Sequence, residues 1–445
     1  MDQDDRLFEG GECQDDGQSA QEATSPGQAR VKRADRAQVQ LRHAALNDLL
    51  PEDHQARVVV TYVDGLDLSP LYAPILSVEG RAGREATDPK ILMALWLYGT
   101  LDAVGSARQL NQLCQDSVPY QWICGGVGMN YHTLSDFRTA HADLLDNLLT
   151  QSVATLMKQD LVSLTRVAQD GMRVRASAGA SSFRRGKTLQ ECLEQAEAQV
   201  QSLREQLETD PGGVNKRQQA ARERAAQERA DRIRKALEQL PQVEAKKKAK
   251  DKEKARVSTT DSDARVMKMP DGGFRPAFNV QFATDTQSQV ITGVDVINSG
   301  SDQGQMLPMV EQIEQRCGKP PEEHLVDGGF VKQDDIDKVS PPQGKTVVYA
   351  PVMESKDPDR DAHTPRDDDS EAVAQWRVRM ATAEAKAIYK DRASTAECVN
   401  AIARNRGLQQ LRVRGLPKVR AVILWYALAH NLMRTVALRA GSKIE

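Results

Sequence analysis

An acid in the middle of an alternating apolar run restricts this chain more than any other feature. In LVSLTRVAQDGMRVRASA, residues 161–178, Ala168, Asp170, Met172 and Val174 fall on one face of a strand. A carboxylate among apolar neighbours is costly to bury unless a cation or metal compensates it. The run therefore predicts a strand whose acid, if buried, is paired with a cation or a metal. Bland readings of such acids stay open: Asp170 as a salt-bridged strand residue, Asp327 as a turn acid before glycine, Glu397 as one face of a charged helix.

The elements around that strand form an ordered series. Strands are expected at 277–284 and 289–297, joined as an antiparallel hairpin by Asp285-Thr286-Gln287-Ser288. A helix at 303–316 follows, then short strands at 324–329 and 346–352, then one long helix from about 371 past 400. Strand, hairpin, helix, strand, strand, helix is the order of an RNase H-like mixed α/β sheet core, assigned to 161–180 and 266–445. Residues 181–265 interrupt it. Leu189, Leu193, Ala196, Val200, Leu203 and Leu207 form a heptad seam. Pro211-Gly212-Gly213 breaks it, and Ala221, Ala225, Ile233, Leu237 and Leu240 resume it. An inserted antiparallel coiled-coil hairpin is expected, with 245–256 (AKKKAKDKEKAR) as a basic linker.

Residues 37–160 read as a helical domain, either DNA-binding or an all-helical dimerisation or packing domain. Asp88-Pro89 is a helix start, an N-cap acid followed by a proline whose missing N–H costs nothing there. Further helices are expected near 104–115 and from Thr133-x-x-Asp136 through Leu148, the last presenting Ser135 and Arg138. Glycines at 125, 126 and 128 mark a turn. Residues 1–36 read as a disordered acidic tail.

Charge is unevenly distributed. The net value of −3 conceals fourteen acidic against six basic residues over 320–371, and fourteen basic against four acidic over 376–445. The basic segment is an electrostatic footprint for a polyanion, most simply nucleic acid, or else a solvated helical surface. No apolar run is expected to span a membrane, and no signal peptide opens the chain. Six scattered cysteines lack metal-site spacing and fit reduced thiols of a cytoplasmic protein. Gly186-Lys187-Thr188 lacks the earlier glycine of a phosphate loop, since position 181 is serine.

Three carboxylates carry the chemical expectation. Asp170 sits on the first strand, Asp327 at the end of HLVDGG, and Glu397 on the late helix among Tyr389, Lys390, Arg392 and Arg404. Together they could hold two hard divalent ions, which stabilise the attacking and leaving oxygens of an in-line phosphodiester displacement. Asp295 and Asp302 compete for the same role.

YKDRASTAE (389–397), Arg404 and RGLPKVRAVILWYALAHNL (414–432) resemble the C-terminal signature of insertion-sequence transposases of the DDE class. The shared pattern is Tyr389, Arg392, Glu397 and Arg404, with four residues between Arg392 and Glu397 and arginine where lysine is commoner. QDGMRVRASA, HLVDGGF and MPDGGFRPAFNVQFATD are similar to the core strands of that family, and 88–126 to its N-terminal helical domain. The resemblance implies Asp170, Asp327 and Glu397 as catalytic metal ligands for two Mg²⁺, with Mn²⁺ as a substitute. It also implies terminal inverted repeats and target DNA as partners, a homodimer on DNA, and a nucleoid-associated protein. Tyr389, Lys390, Arg392, Arg404, Arg138, Arg412 and Arg414 are the expected DNA contacts. Two other classes stay open, a catalytically inactive transposase-derived DNA-binding protein and a coiled-coil interaction protein.

Overall fold

Asp88 accepts the Lys90 N–H at 2.8 Å, and that cap launches the helix at the centre of the N-terminal region. The computed structural model describes residues 43–77, 85–209, 216–354 and 360–441. The acidic tail at 1–36 and the Pro211-Gly212-Gly213 break lie outside them. Helices α1 (Gln55–Asp64) and α2 (Ser69–Tyr72) precede α3 (Pro89–Leu101), which is buried continuously from Leu92 to Thr100. A helix apolar on every side belongs inside a core, and the others surround it. Ser106 caps α4 (Ala107–Asp116), and α5 (Val118–Cys124) stops at Gly125, whose φ of +57° suits glycine.

The helix expected to open at Thr133 begins earlier and is two helices. Asn130 accepts the His132 N–H at 2.9 Å and starts α6 (Tyr131–Ala140). His141 leaves helical geometry (φ −120°, ψ 40°), and α7 (Ala142–Lys158) follows. Asn130 offers an uncrowded side-chain acceptor one turn ahead of Thr133, so the cap falls there.

The sheet follows. Its strands and flanking helices are β1 (Arg166–Arg175), β2 (Phe183–Arg184), α8 (Gly186–Thr209), α9 (Lys216–Ala245), β3 (Val257–Ser258), β4 (Arg265–Lys268), β5 (Phe274–Asp285), β6 (Ile291–Ile297), α10 (Met306–Cys317), β7 (Glu323–Leu325), α11 (Gln333–Val339) and β8 (Val347–Tyr349). β1 is central. It pairs antiparallel with β5, which pairs antiparallel with both β4 and β6. On its other side β7 and then β8 run parallel. The chain closes with α12 (Glu371–Ala381), α13 (Ala383–Asn405) and α14 (Leu416–Gly441). The single long helix expected from 371 is thus α12 and α13, broken at Thr382, whose side chain caps α13 by accepting the Ala385 N–H.

Helix α14 joins the two halves. Trp425 Nε1–H donates to the Arg138 carbonyl at 3.0 Å, and Asn431 brackets Ile291 of β6 with two hydrogen bonds. Buried side chains of α3, α6, α14 and one sheet face (Met172, Val174, Phe278, Val280) form one continuous core. The helical region and the sheet therefore share their interior. α14 is also long and apolar enough to cross a membrane, but 67% of that stretch is buried inside the protein. His430 and Asn431 do not weaken it, because each finds a backbone partner there.

The insertion is two long antiparallel helices, α8 and α9, with Arg204 paired to Glu223 and Arg234 to Glu197. Leu189 and Ala196 are buried against Ala230, Ile233, Ala236 and Leu240, and Val200 and Ala226 are buried as well. The α9 seam thus runs through Ala226 and Ala230; Ala221 and Ala225 are exposed. Part of the expected linker is ordered: α9 reaches Ala245, and a 3-10 turn spans Ala249–Lys254.

Candidate active site

Strand register brings two of the expected acids to one level. The last paired residues of β1 and β7 are Ala168 and Leu325. Asp170 and Asp327 each lie two residues further on, on adjacent parallel chains. Val326 N–H still bonds the Tyr349 carbonyl at 3.0 Å, so the chain stays extended up to Asp327. There the Asp327 carboxylate accepts the Gly329 N–H at 2.8 Å, as an acid before two glycines can.

Helix α13 covers this end of β1. Arg166 of β1 donates to Glu323 of β7 at 2.6 Å and pairs with Asp391 of α13, fixing the helix to both strands. The next residue, Arg392, donates Nη2–H to Asp170 Oδ1 at 3.0 Å and lies 3.7 Å from Asp327 Oδ2. Two turns later Asn400 donates to Asp170 Oδ2 at 2.9 Å. One guanidinium thus serves two carboxylates, which is the compensating cation that the acid in β1 required. Burial pushes the Asp170 carboxyl up, Arg392 pulls it down, and repulsion from Asp327 and Asp302 adds to burial, so it ends above its ordinary value. Tyr389, one turn before Arg392, is also pushed up by burial against the pull of Arg392.

The opposite face of β1 carries a buried polar ladder. Asp302 accepts from Asn279 at 2.6 Å and Gln281 at 2.7 Å, Gln169 donates to Gln281 at 3.2 Å, and His324 Nε2–H donates to Gln169 Oε1 at 2.9 Å. Gly171 lies beneath it, and a Cβ there would collide with Asp302 and sit 2.6 Å from Gln281 Nε2. Asp302 is thus bound into this ladder on the reverse of the sheet, and Asp295 is half-buried on β6.

Glu397 is exposed on α13, and among the described residues no three His, Cys, Asp or Glu side chains are placed to hold a metal ion. The structure therefore brings together Asp170 and Asp327 but does not complete a cluster with Glu397. The aspartate pair fits a hard divalent cation in its donors, two carboxylates turned toward one positive charge. Lys390, Arg404, Arg412 and Arg414 are exposed, and Arg404 shares a groove with Arg173, Arg175 and Arg275. Arg138 departs from expectation. It is only 6% exposed, donates Nη1–H to the Gly105 carbonyl at 2.6 Å and lies over the Trp96 ring. Helix α6 turns it inward because α14 covers that face.

Asn400 and Arg166 were not singled out in the sequence. Asn400 stands eight residues after Arg392, on the row that an α-helix presents to one neighbour, and that spacing was the available signal. Arg166 begins the acid's own strand but faces a partner 225 residues away.

Two family models match this chain. One, described as Transposase domain (DUF772), covers residues 44–140, and the other, Transposase DDE domain, covers 353–436. The second includes Tyr389, Arg392, Glu397 and Arg404, while Asp170 and Asp327 fall outside both. No curated protein and no solved structure matches.

Proposed function

With transposase models matched in both its N-terminal and C-terminal parts, the chain is an insertion-sequence transposase of the DDE class, and we propose that it cuts DNA at the terminal inverted repeats of its element and joins the freed 3′-OH to target DNA. The observation that carries this is the convergence of Asp170 and Asp327 on Arg392. The sheet order β6-β5-β1-β7-β8, antiparallel on one side of β1 and parallel on the other, supports an RNase H-like core. The packed α8–α9 pair supports a coiled-coil hairpin inserted into it.

Asp170 and Asp327 would hold the divalent ion, Mg²⁺ or Mn²⁺, with Glu397 of α13 as the third ligand for a two-ion site. Bound there, such ions supply positive charge to the attacking and leaving oxygens of a phosphodiester displacement. The chain's own part is positioning. Asn400 and Arg392 orient the Asp170 carboxylate, and Arg166 fixes α13 against the strands. Tyr389, Lys390 and Arg404 approach DNA phosphates, and Arg414 extends that basic surface. Two ends must be cut together, so a homodimer on DNA is the working form.

Mg²⁺-dependent nicking of DNA bearing the element's ends tests this reading. Asp327→Asn is expected to abolish nicking with DNA affinity nearly unchanged. A second reading, a non-catalytic DNA-binding descendant, draws on the ion pairs by which Arg392 already satisfies both acids. Retained binding with no metal-dependent cut in the wild type would establish it.

A further inference from the structure

A second cleft, of about 630 Å³, lies between α6, the N-terminal part of α14 and the turn 407–412. Arg138, Arg175 and Arg412 line it together with Tyr426, and no acidic residue does. The turn is fixed to the end of β1: Arg175 N–H bonds the Gln409 carbonyl at 3.2 Å, and Leu411 N–H bonds the Arg175 carbonyl at 2.8 Å. Its walls are therefore built into the sheet.

Its charges lack counter-ions. Among the described residues neither Arg175 nor Arg412 is in an ion pair, and Arg138, almost wholly buried, has no partner for Nε–H. Burial pushes the Arg138 guanidinium down to about 10, against an opposing pull from Tyr426 and with a smaller push from Arg412. Buried charge normally comes with a partner. Three guanidinium groups converging on a polar cleft are complementary to one oxyanion, which arginine grips through paired N–H donors.

We propose that this cleft is a socket for one phosphodiester group of a DNA strand, held by the exposed Arg175 and Arg412 over the buried Arg138 guanidinium. Its preference for a phosphate-type anion follows from the cleft alone, and DNA as the source rests on the transposase reading above. Arg175 lies five residues beyond Asp170 on β1, about 17 Å at the strand rise of ~3.3 Å per residue. Arg173, Arg275 and Arg404 border the adjoining groove, where Arg173 pairs with Asp302 and Arg275 with Asp271.

The test is fluorescence anisotropy of a fluorescein-labelled duplex with the full-length protein over a range of KCl concentrations. Arg175→Ala and Arg412→Ala are exposed substitutions, and Arg222→Ala on α9 is the control. Each of the first two is expected to reduce the slope of log K against log salt by about 0.9 relative to the control, alike on end-bearing and unrelated duplexes. Unchanged slopes in both would overturn the proposal. So would inorganic phosphate raising the Tm of wild type but not of Arg412→Ala while the DNA slopes stay equal, since the socket would then serve free phosphate. A reduced slope in a protein that never cuts DNA would leave the socket standing and sink the catalytic reading. Normal cutting with unchanged slopes would do the reverse.

Discussion

Asn400 donates its side-chain N–H to Asp170 Oδ2 at 2.9 Å, across 230 residues of sequence. The bond fills the oxygen that Arg392 leaves free, so both carboxylate oxygens are oriented from one helix. Asn400→Ala removes a hydrogen bond to a charged group, worth about 1.5–3 kcal/mol. At about 1.4 kcal/mol per factor of ten, nicking is expected to slow by roughly 10- to 100-fold. Loss of a donor to the ionised form raises the Asp170 pKa, so the acid limb of the pH–rate profile should move to higher pH. A slower variant with an unmoved acid limb would mean that Asn400 only supports the fold.

Asp170 is held above its ordinary pKa chiefly by burial, so its charge opposes folding at neutral pH. A carboxyl raised in the fold gives stability only at pH low enough to protonate it, and loses that contribution as pH rises. Asp170→Asn keeps the shape without the charge. It should abolish nicking and, by removing the titrating group, flatten the fall of metal-free Tm with rising pH. An unchanged pH dependence of Tm would contradict the account of this site given by its burial and partners.

Gly171 is required by what lies over it. Gly171→Ala forces a methyl group against Asp302 and Gln281. Overpacking of this kind costs about 1–3 kcal/mol, and chemical denaturation should register that loss. Full stability would show that the Asp302 ladder can move aside.

Two buried histidines set the acid limit of the fold. Burial pushes His324 down to about 3 and His430 to about 4, from an ordinary 6.5. Both are therefore neutral in the fold, His430 donating Nε2–H to the Gln289 carbonyl at 2.8 Å. The unfolded chain takes up their protons below pH 6.5. Their contribution is complete above that value and shrinks as pH falls, by about 1.4 kcal/mol per pH unit for each histidine. It is exhausted near pH 4 for His430 and near pH 3 for His324. Urea midpoints should decline over this window, and His430→Asn should flatten the decline.

What the sequence disclosed depended on how local the cause was. Alternation around Asp170 gave the face of β1, and Asp285-Thr286-Gln287-Ser288 marked the β5–β6 hairpin, because both are written in adjacent residues. Asp88-Pro89 likewise marked the start of α3. Breaks at His141 and Thr382 were hidden, since apolar spacing runs through both. Arg138 looked like a surface residue because nothing near it announces that α14 will cover it. For the candidate site, the acids and Arg392 stood out as residue types, but their common level came from the parallel pairing of β1 with β7, a relation between segments about 155 residues apart.

The bond from Trp425 to the Arg138 carbonyl joins residues 287 positions apart. A ribosome adding about 5–20 residues per second needs roughly 15–60 s to traverse that interval. Throughout it the apolar sides of α3 and α6 lack the helix that seals them. Nascent chains of this protein should accordingly engage cellular chaperones during elongation, and a transcript interrupted before α14 should yield a product destined for proteolysis.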